Sequence, residues 1–306
     1  MSTTGPLCTF SSLTRSYFEI NTLTTDNVCF QLYYKWSSTL FIISSILVTT
    51  KQFFGSPLQC DAGHASAMVD KDVLEAYCWM YSTFSIPLEY QGQCSAGELE
   101  ETDNNLVYNS YYQWVPLYLI SMSLLFYLPR ILWLSMEGGL MKFFGKGSRF
   151  SLVKDHDEEK EMLINYFQQH VRNRSDVYFY GFVACEVTNL CVVFAFFFFT
   201  HSFLNYRFLG FGLQVLEYYR LPAEEQMVSW IKNPLCKTFP RVASCDYFRY
   251  GPGGGPEKIN SICILSLNII NDKAFISLND TISNFQLLFV TFGIDVFMDK
   301  GCRIHL

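Results

Sequence analysis

The chain has 306 residues, of which 50% are hydrophobic, 17% aromatic and 16% charged. An average soluble domain carries roughly 25% charge, and a soluble protein of this size would still need a charged skin, so the deficit points toward lipid. The formal net charge is −6; with no basic stripe and no basic–aromatic interleaving, the sequence gives no footing for nucleic acid as a partner.

Residues 1–32 carry Ser, Thr and Asn throughout and do not read as a cleavable signal peptide. A bilayer-crossing helix needs about 20 mostly apolar residues. The first candidate covers 33–50, with Lys35 and Lys51 at its ends, where lysines can snorkel to headgroups. A second covers 111–133. Tyr111, Tyr112 and Trp114 at one end and Arg130 and Trp133 at the other suggest an interfacial belt. A helix is expected from Asp157 to Arg172, where Met162, Leu163, Tyr166, Phe167, His170 and Val171 recur at helical spacing. The third candidate covers 177–203 and includes Phe196–Phe199. A fourth, 274–298, is interrupted by Asn279, Asp280, Asn284, Gln286 and Asp295, leaving 299–306 as a C-terminal segment.

The loops orient these segments. Residues 51–110 are acidic, whereas 134–176 carry Lys142, Lys146, Arg149, Lys154, Lys160, Arg172 and Arg174. The positive-inside rule makes 134–176 a cytoplasmic loop, 51–110 and 204–273 the two extracellular loops, and 1–32 cytoplasmic. The expected architecture is an α-helical membrane protein. It has a bundle of four transmembrane helices, the fourth atypical, a small disulfide-bonded extracellular cap with a few strands, and a helical cytoplasmic loop.

There are eleven cysteines. Cys60, Cys78 and Cys94 fall in the first outer loop and Cys236, Cys245 and Cys263 in the second; Cys8 and Cys29 are cytoplasmic, and Cys185 and Cys191 lie in the third candidate span. In an oxidising compartment the six outer cysteines form a disulfide framework, whose connectivity sequence leaves open. No CxxC pair or neighbouring His supports a metal site, and no cofactor motif is present: the Gly251–Pro256 run lacks the GK[ST] of a phosphate loop and reads as a tight turn. No catalytic constellation is visible. Glu186, a carboxyl inside an apolar segment, is a functional-site candidate. The preferred reading is a polar contact that holds helices together, paired with Asn189 of a neighbouring subunit.

Several motifs are similar to those of the innexins. Tyr111-Tyr112-Gln113-Trp114-Val115-Pro116 resembles the family's YYQWVP signature. Thr49-Thr50-Lys51-Gln52-Phe53-Phe54-Gly55-Ser56-Pro57-Leu58-Gln59-Cys60 resembles the end of the first span and its Gly-x-Pro-x-x-Cys continuation. Tyr77-Cys78-Trp79 matches a first-loop motif, and Cys185-Glu186-Val187-Thr188-Asn189 a third-span Cys-Glu-x-x-Asn. Phe239-Pro240-Arg241-Val242, Tyr250-Gly251-Pro252-Gly253 and Cys263 to Asn271 match the second outer loop. The resemblance covers roughly residues 26–273, in order. It implies bridges between the two outer loops; antiparallel stacking would pair Cys60 with Cys263, Cys78 with Cys245 and Cys94 with Cys236. It further implies a homo- or hetero-oligomeric ring in the plasma membrane at a cell junction, with the N-terminal segment in the pore mouth. The ring would dock to one in the adjacent cell as a gap-junction channel passing ions and small metabolites. The alternatives are an undocked hemichannel or a non-conducting regulatory subunit.

After Asn268-Ile269-Ile270-Asn271-Asp272-Lys273 the pattern changes, because Ile276-Ser277-Leu278-Asn279-Asp280-Thr281-Ile282-Ser283-Asn284 replaces the family's aromatic-rich fourth span. A charge at the centre of a span costs about 2.5–3.5 kcal/mol. The segment is therefore expected to insert poorly, which would leave the Asn279-Asp280-Thr281 sequon open to glycosylation.

Overall fold

The computed structural model describes residues 28–63, 69–81, 83–84, 108–138, 157–228 and 233–304. The expectations for the N-terminal segment as far as residue 27, for Cys8 and Cys94, and for all of 139–156 lie outside them. The described chain is mostly helical. Its residues form two compact units: one holds those up to Ser38, Leu124–Val193 and those from Leu287 onward, the other Thr39–Ser123 and Phe194–Gln286.

Helix α1 (Val28–Gln31) passes through a π-helical turn (Leu32–Ser37) into α2 (Ser38–Phe54), so the first helical run starts ahead of the expected residue 33. A short helix, α3 (Lys71–Tyr81), and a 3₁₀ turn (Tyr111–Gln113) precede α4 (Val115–Glu137). Helix α5 (Asp157–Phe203) is continuous. The polar run Asn173-Arg174-Ser175-Asp176 does not separate a loop helix from a third span, because such residues disfavour a helix interior only slightly. Next come α6 (Phe211–Arg220), α7 (Ala223–Val228), α8 (Pro234–Thr238) and α9 (Asn268–Ile304). Among the described residues, two helices are long and apolar enough to cross a membrane, Val115–Glu137 and Tyr178–Phe203.

In the first unit, Phe30, Trp133 and Cys185 form a buried cluster flanked by Tyr34, Tyr178 and Phe182. Trp133 presents its ring to Tyr178 at 5.0 Å and to Phe182 at 5.3 Å. The expected interfacial anchor is thus a core residue, because neighbouring aromatic edges cover the indole that an interface would leave wet. Arg130 sits 5.1 Å over the Tyr34 ring, a cation–π contact.

The second unit is built on a five-stranded antiparallel sheet ordered β1-β5-β4-β2-β3. Its strands are β1 (Gln59–Asp61), β2 (Thr83–Phe84), β3 (Tyr108–Asn109), β4 (Val242–Tyr250) and β5 (Pro256–Ile264). Strands β4 and β5, nine residues each, form a hairpin whose turn is the Gly-Pro run, and Gly254 takes φ 76°, which suits glycine. The period-2 alternation of β5 buries Ile259, Ser261 and Cys263. Helix α3 lays Leu74 and Cys78, four residues apart, against this unit's core.

Helix α9 starts at Asn268, six residues before the expected 274, and runs through Asn279, Asp280 and Asn284 without a break. Phe275, Leu278, Asn279 and Ile282 are buried on one face of it. A Cβ on Gly212 would lie 3.0 Å from the Asn279 amide, so the glycine makes room for that polar side chain. Asn279 also accepts a hydrogen bond from Ser283 through Oδ1. The interrupting residues therefore do not end the helix, and Asn279 is not presented to solvent. Peptide mapping of the expressed protein should find Asn279 at its unmodified mass, and a glycosylated peptide would show this packing to be wrong.

Candidate functional site

The cysteines of the two predicted outer loops meet at β5. Cys60 on β1 is bonded to Cys263 on β5, and Cys78 on α3 to Cys245 on β4. Sheet register places Cys60 directly opposite Cys263. Ser261 lies buried between the two bridges. Its hydroxyl donates to the Cys245 carbonyl at 3.0 Å and sits 3.9 Å from both Cys78 Sγ and Cys263 Sγ. The sulfurs of Cys60, Cys78 and Cys263 all fall within 4.8 Å of one another, but each is already in a disulfide and offers no thiolate to a metal. Cys236 is also disulfide-bonded; Cys94, its expected partner, lies outside the described residues. Cys185 and Cys191 are free.

The motif 111–116 leads from β3 into the start of α4. Tyr111 is buried and donates its hydroxyl to the Thr238 carbonyl at 3.0 Å. Its ring meets Phe203 and Phe239 edge-on at 6.2 and 6.1 Å. Tyr112 is wholly buried, with its ring 5.0 Å from Trp79. Gln113 donates its side-chain amide to the Trp79 carbonyl. Trp114 is exposed, while Val115 and Pro116 are buried at the head of α4, where a proline costs no helical hydrogen bond. The Pro116 carbonyl accepts from Ser45 Oγ at 3.1 Å, tying α2 to α4. One turn on, Tyr118 stacks on Phe203 at 4.3 Å and shares a 2.6 Å hydrogen bond with Thr200. The tyrosines expected to anchor an interface thus bind helix ends to loop segments, and Trp114 alone of the three faces outward.

The motifs around 240 and 268 latch onto each other. Asn268 Nδ2 donates to the Pro240 carbonyl at 2.7 Å, and Arg241 Nη2 meets Asp272 Oδ2 at 3.1 Å. Asp272 is 1% exposed and Arg241 39%. Burial pushes the Asp272 carboxyl above its ordinary range, while Arg241 and Lys273 pull it back. Ser266 Oγ donates to the Ser56 carbonyl at 2.5 Å, and Leu267 N to that of Pro57 at 3.3 Å. The two cysteine-bearing segments are therefore hydrogen-bonded as well as bridged.

In α5, Glu186 is half-buried and Asn189 is 2% exposed; Glu186 Oε2 and Asn189 Nδ2 have no hydrogen-bond partner among the described residues. The residues that sequence reading did not single out are Ser261, Thr238 and Gly212. Ser261 could have been found from β5 alternation, which puts it in register with two cysteines. Thr238 acts through its backbone carbonyl, which leaves no side-chain signature.

The sequence model of the innexin family matches residues 26–291. The chain is 32% identical over 273 residues to innexin inx2 of Drosophila melanogaster, covering 86% of this chain and 72% of that protein. It is 30% identical over 273 residues to innexin inx2 of Schistocerca americana, with 86% and 73% covered. Identity to innexin inx1 of Drosophila melanogaster is 28% over 302 residues, with 95% and 79% covered.

The Arg241–Asp272 pair yields a direct test. Arg241→Met removes the hydrogen-bonding partner of a buried carboxylate and should lower stability by about 1–3 kcal/mol. Adding Asp272→Asn should recover part of that loss. Thermal unfolding of the four-member cycle in detergent measures both, and strictly additive losses would mean the two side chains are not coupled.

Proposed function

The chain belongs to the innexin family, whose members are gap-junction channel subunits and multi-pass helical membrane proteins, and from that premise we propose that it assembles into a ring that passes ions and small metabolites between adjacent cells. Innexins are channel proteins rather than enzymes. In this reading 51–110 and 204–273 face outward, the cap docks to a ring of the adjacent cell, and the acyl chains of the bilayer cover the remaining apolar helix surface. The signature residues Tyr111 to Pro116 hold the cap to the spanning helices, and Glu186 and Asn189 form polar contacts with a neighbouring subunit. The observation that carries this reading is the family match over 26–291, which takes in both cysteine-bearing loops and the helices between them. The bridged sheet supports it, since docking two rings needs loops that hold one shape.

Paired cells that both express the chain should show junctional conductance, recorded by dual voltage clamp. Cys78→Ser should abolish that conductance while surface biotinylation still finds the protein. Disulfides of this kind contribute about 2–5 kcal/mol, so its cap should also melt earlier. If the chain reaches the surface of both cells and no current passes between them, the channel reading fails.

A further inference from the structure

After Phe203 the chain does not move steadily away from α5. Asn205 and Tyr206 both take left-handed conformations, with φ 51° and 61°, and the backbone reverses. The reversal is held by His201, whose Nδ1 accepts from the backbone N–H groups of Phe208 and Leu209 at 3.3 and 3.1 Å. Phe208 then packs 6.0 Å from Phe196 and 6.3 Å from Phe197, and 6.3 Å from Phe275. Phe196 lies seven residues before the helix end, roughly 10 Å back along α5. The start of α6 is thus drawn to the level of the last turns of the apolar stretch Tyr178–Phe203. Phe211 is buried at this level against Phe208 at 5.8 Å, and Gly212 is backed by Asn279.

Helix α6 has three sides. Phe211 and Val215 are buried and Tyr218 half-buried, facing the unit's own core. Gln214 and Glu217 form an exposed polar side. The third side carries Leu213, Leu216 and Tyr219, three residues apart and 75%, 50% and 54% exposed, with Leu209 just ahead of the helix at 66%. Among the described residues, nothing covers that stripe. Arg220 in the last turn is long enough to reach a headgroup phosphate. A helix with one apolar and one polar exposed side, held at the depth where a spanning helix ends, has the make-up of an interfacial segment.

We propose that α6 lies in the headgroup region of the leaflet that meets the Phe203 end of α5, with Leu209, Leu213, Leu216 and Tyr219 buried in phospholipid. This rests on Tyr178–Phe203 being a membrane span. The helix then acts as a float that sets how deep the second unit sits, and Arg241, Asp272 and the sheet stay above the membrane plane.

The test reconstitutes the full chain in phosphatidylcholine vesicles that contain a photoactivatable phosphatidylcholine with a diazirine in its acyl chain. After illumination, adducts are mapped by peptide mass. Adducts are expected on the peptides covering 209–220 and 194–203 and not on 246–258 of the hairpin. Leu213→Asp with Leu216→Asp should lose the adduct on 209–220 and keep that on 194–203. An adduct on 194–203 with none on 209–220 would overturn the proposal, as would a subunit-to-subunit crosslink through a photoreactive residue at position 213, which would make the stripe a protein interface. Absence of adduct from both peptides would overturn the membrane span itself, and the proposal with it.

Discussion

Strand β5 carries Cys263 toward β1 and, two residues earlier, Ser261 toward the bridge between α3 and β4, so two disulfides converge on one buried hydroxyl. The bonded cysteines are 203 and 167 residues apart in sequence. Closing such long loops removes a large part of the freedom of the unfolded chain. It also fixes which residues of the first loop can face which residues of the second. Once Cys60 stands opposite Cys263, the Ser56–Ser266 and Pro57–Leu267 hydrogen bonds follow within a few residues, and the end of α2 is brought to the start of α9.

From that brace the order is carried onward by aromatic contacts. Tyr118, Phe203, Phe208, Phe211, Phe239 and Phe275 form a continuous set of rings at centroid distances between 4.3 and 6.3 Å. Aromatic edges prefer such offset and perpendicular arrangements, and they pack a junction of helix ends without requiring a long side chain to lose much freedom. Polar groups at the junction are aimed at backbone carbonyls: Tyr111 at Thr238, Gln113 at Trp79, Asn268 at Pro240. Those carbonyls belong to helix ends and loops that have no helical partner of their own.

How much of this was legible varies with the kind of signal. Apolar runs gave away α4 and the second half of α5, because a period of lipid-length apolarity is a strong pattern. The Gly-Pro turn was readable from its own residues, whereas the alternation of β5 was present in the sequence and no strand was placed on it. Trp133 was misread, since an aromatic at the end of an apolar run looks the same whether it meets water or the edges of Tyr178 and Phe182. In the fourth segment, composition prices Asn279 as a lone residue. The structure gives it a glycine to lean on and a serine to accept from, and neither is visible from the window around it. Likewise no local pattern ties Arg241 to Asp272 across 31 positions; only the separate resemblance of the two motifs hinted that they matter.

The contact between Gly212 and Asn279 also has a direction in time. The glycine lies 67 positions earlier and leaves the ribosome before the asparagine does, so the cover for the polar side chain exists before the side chain that needs it. A side chain at 212 would therefore stand in place before α9 packs, and Asn279 would have to give way to it by a few tenths of an ångström.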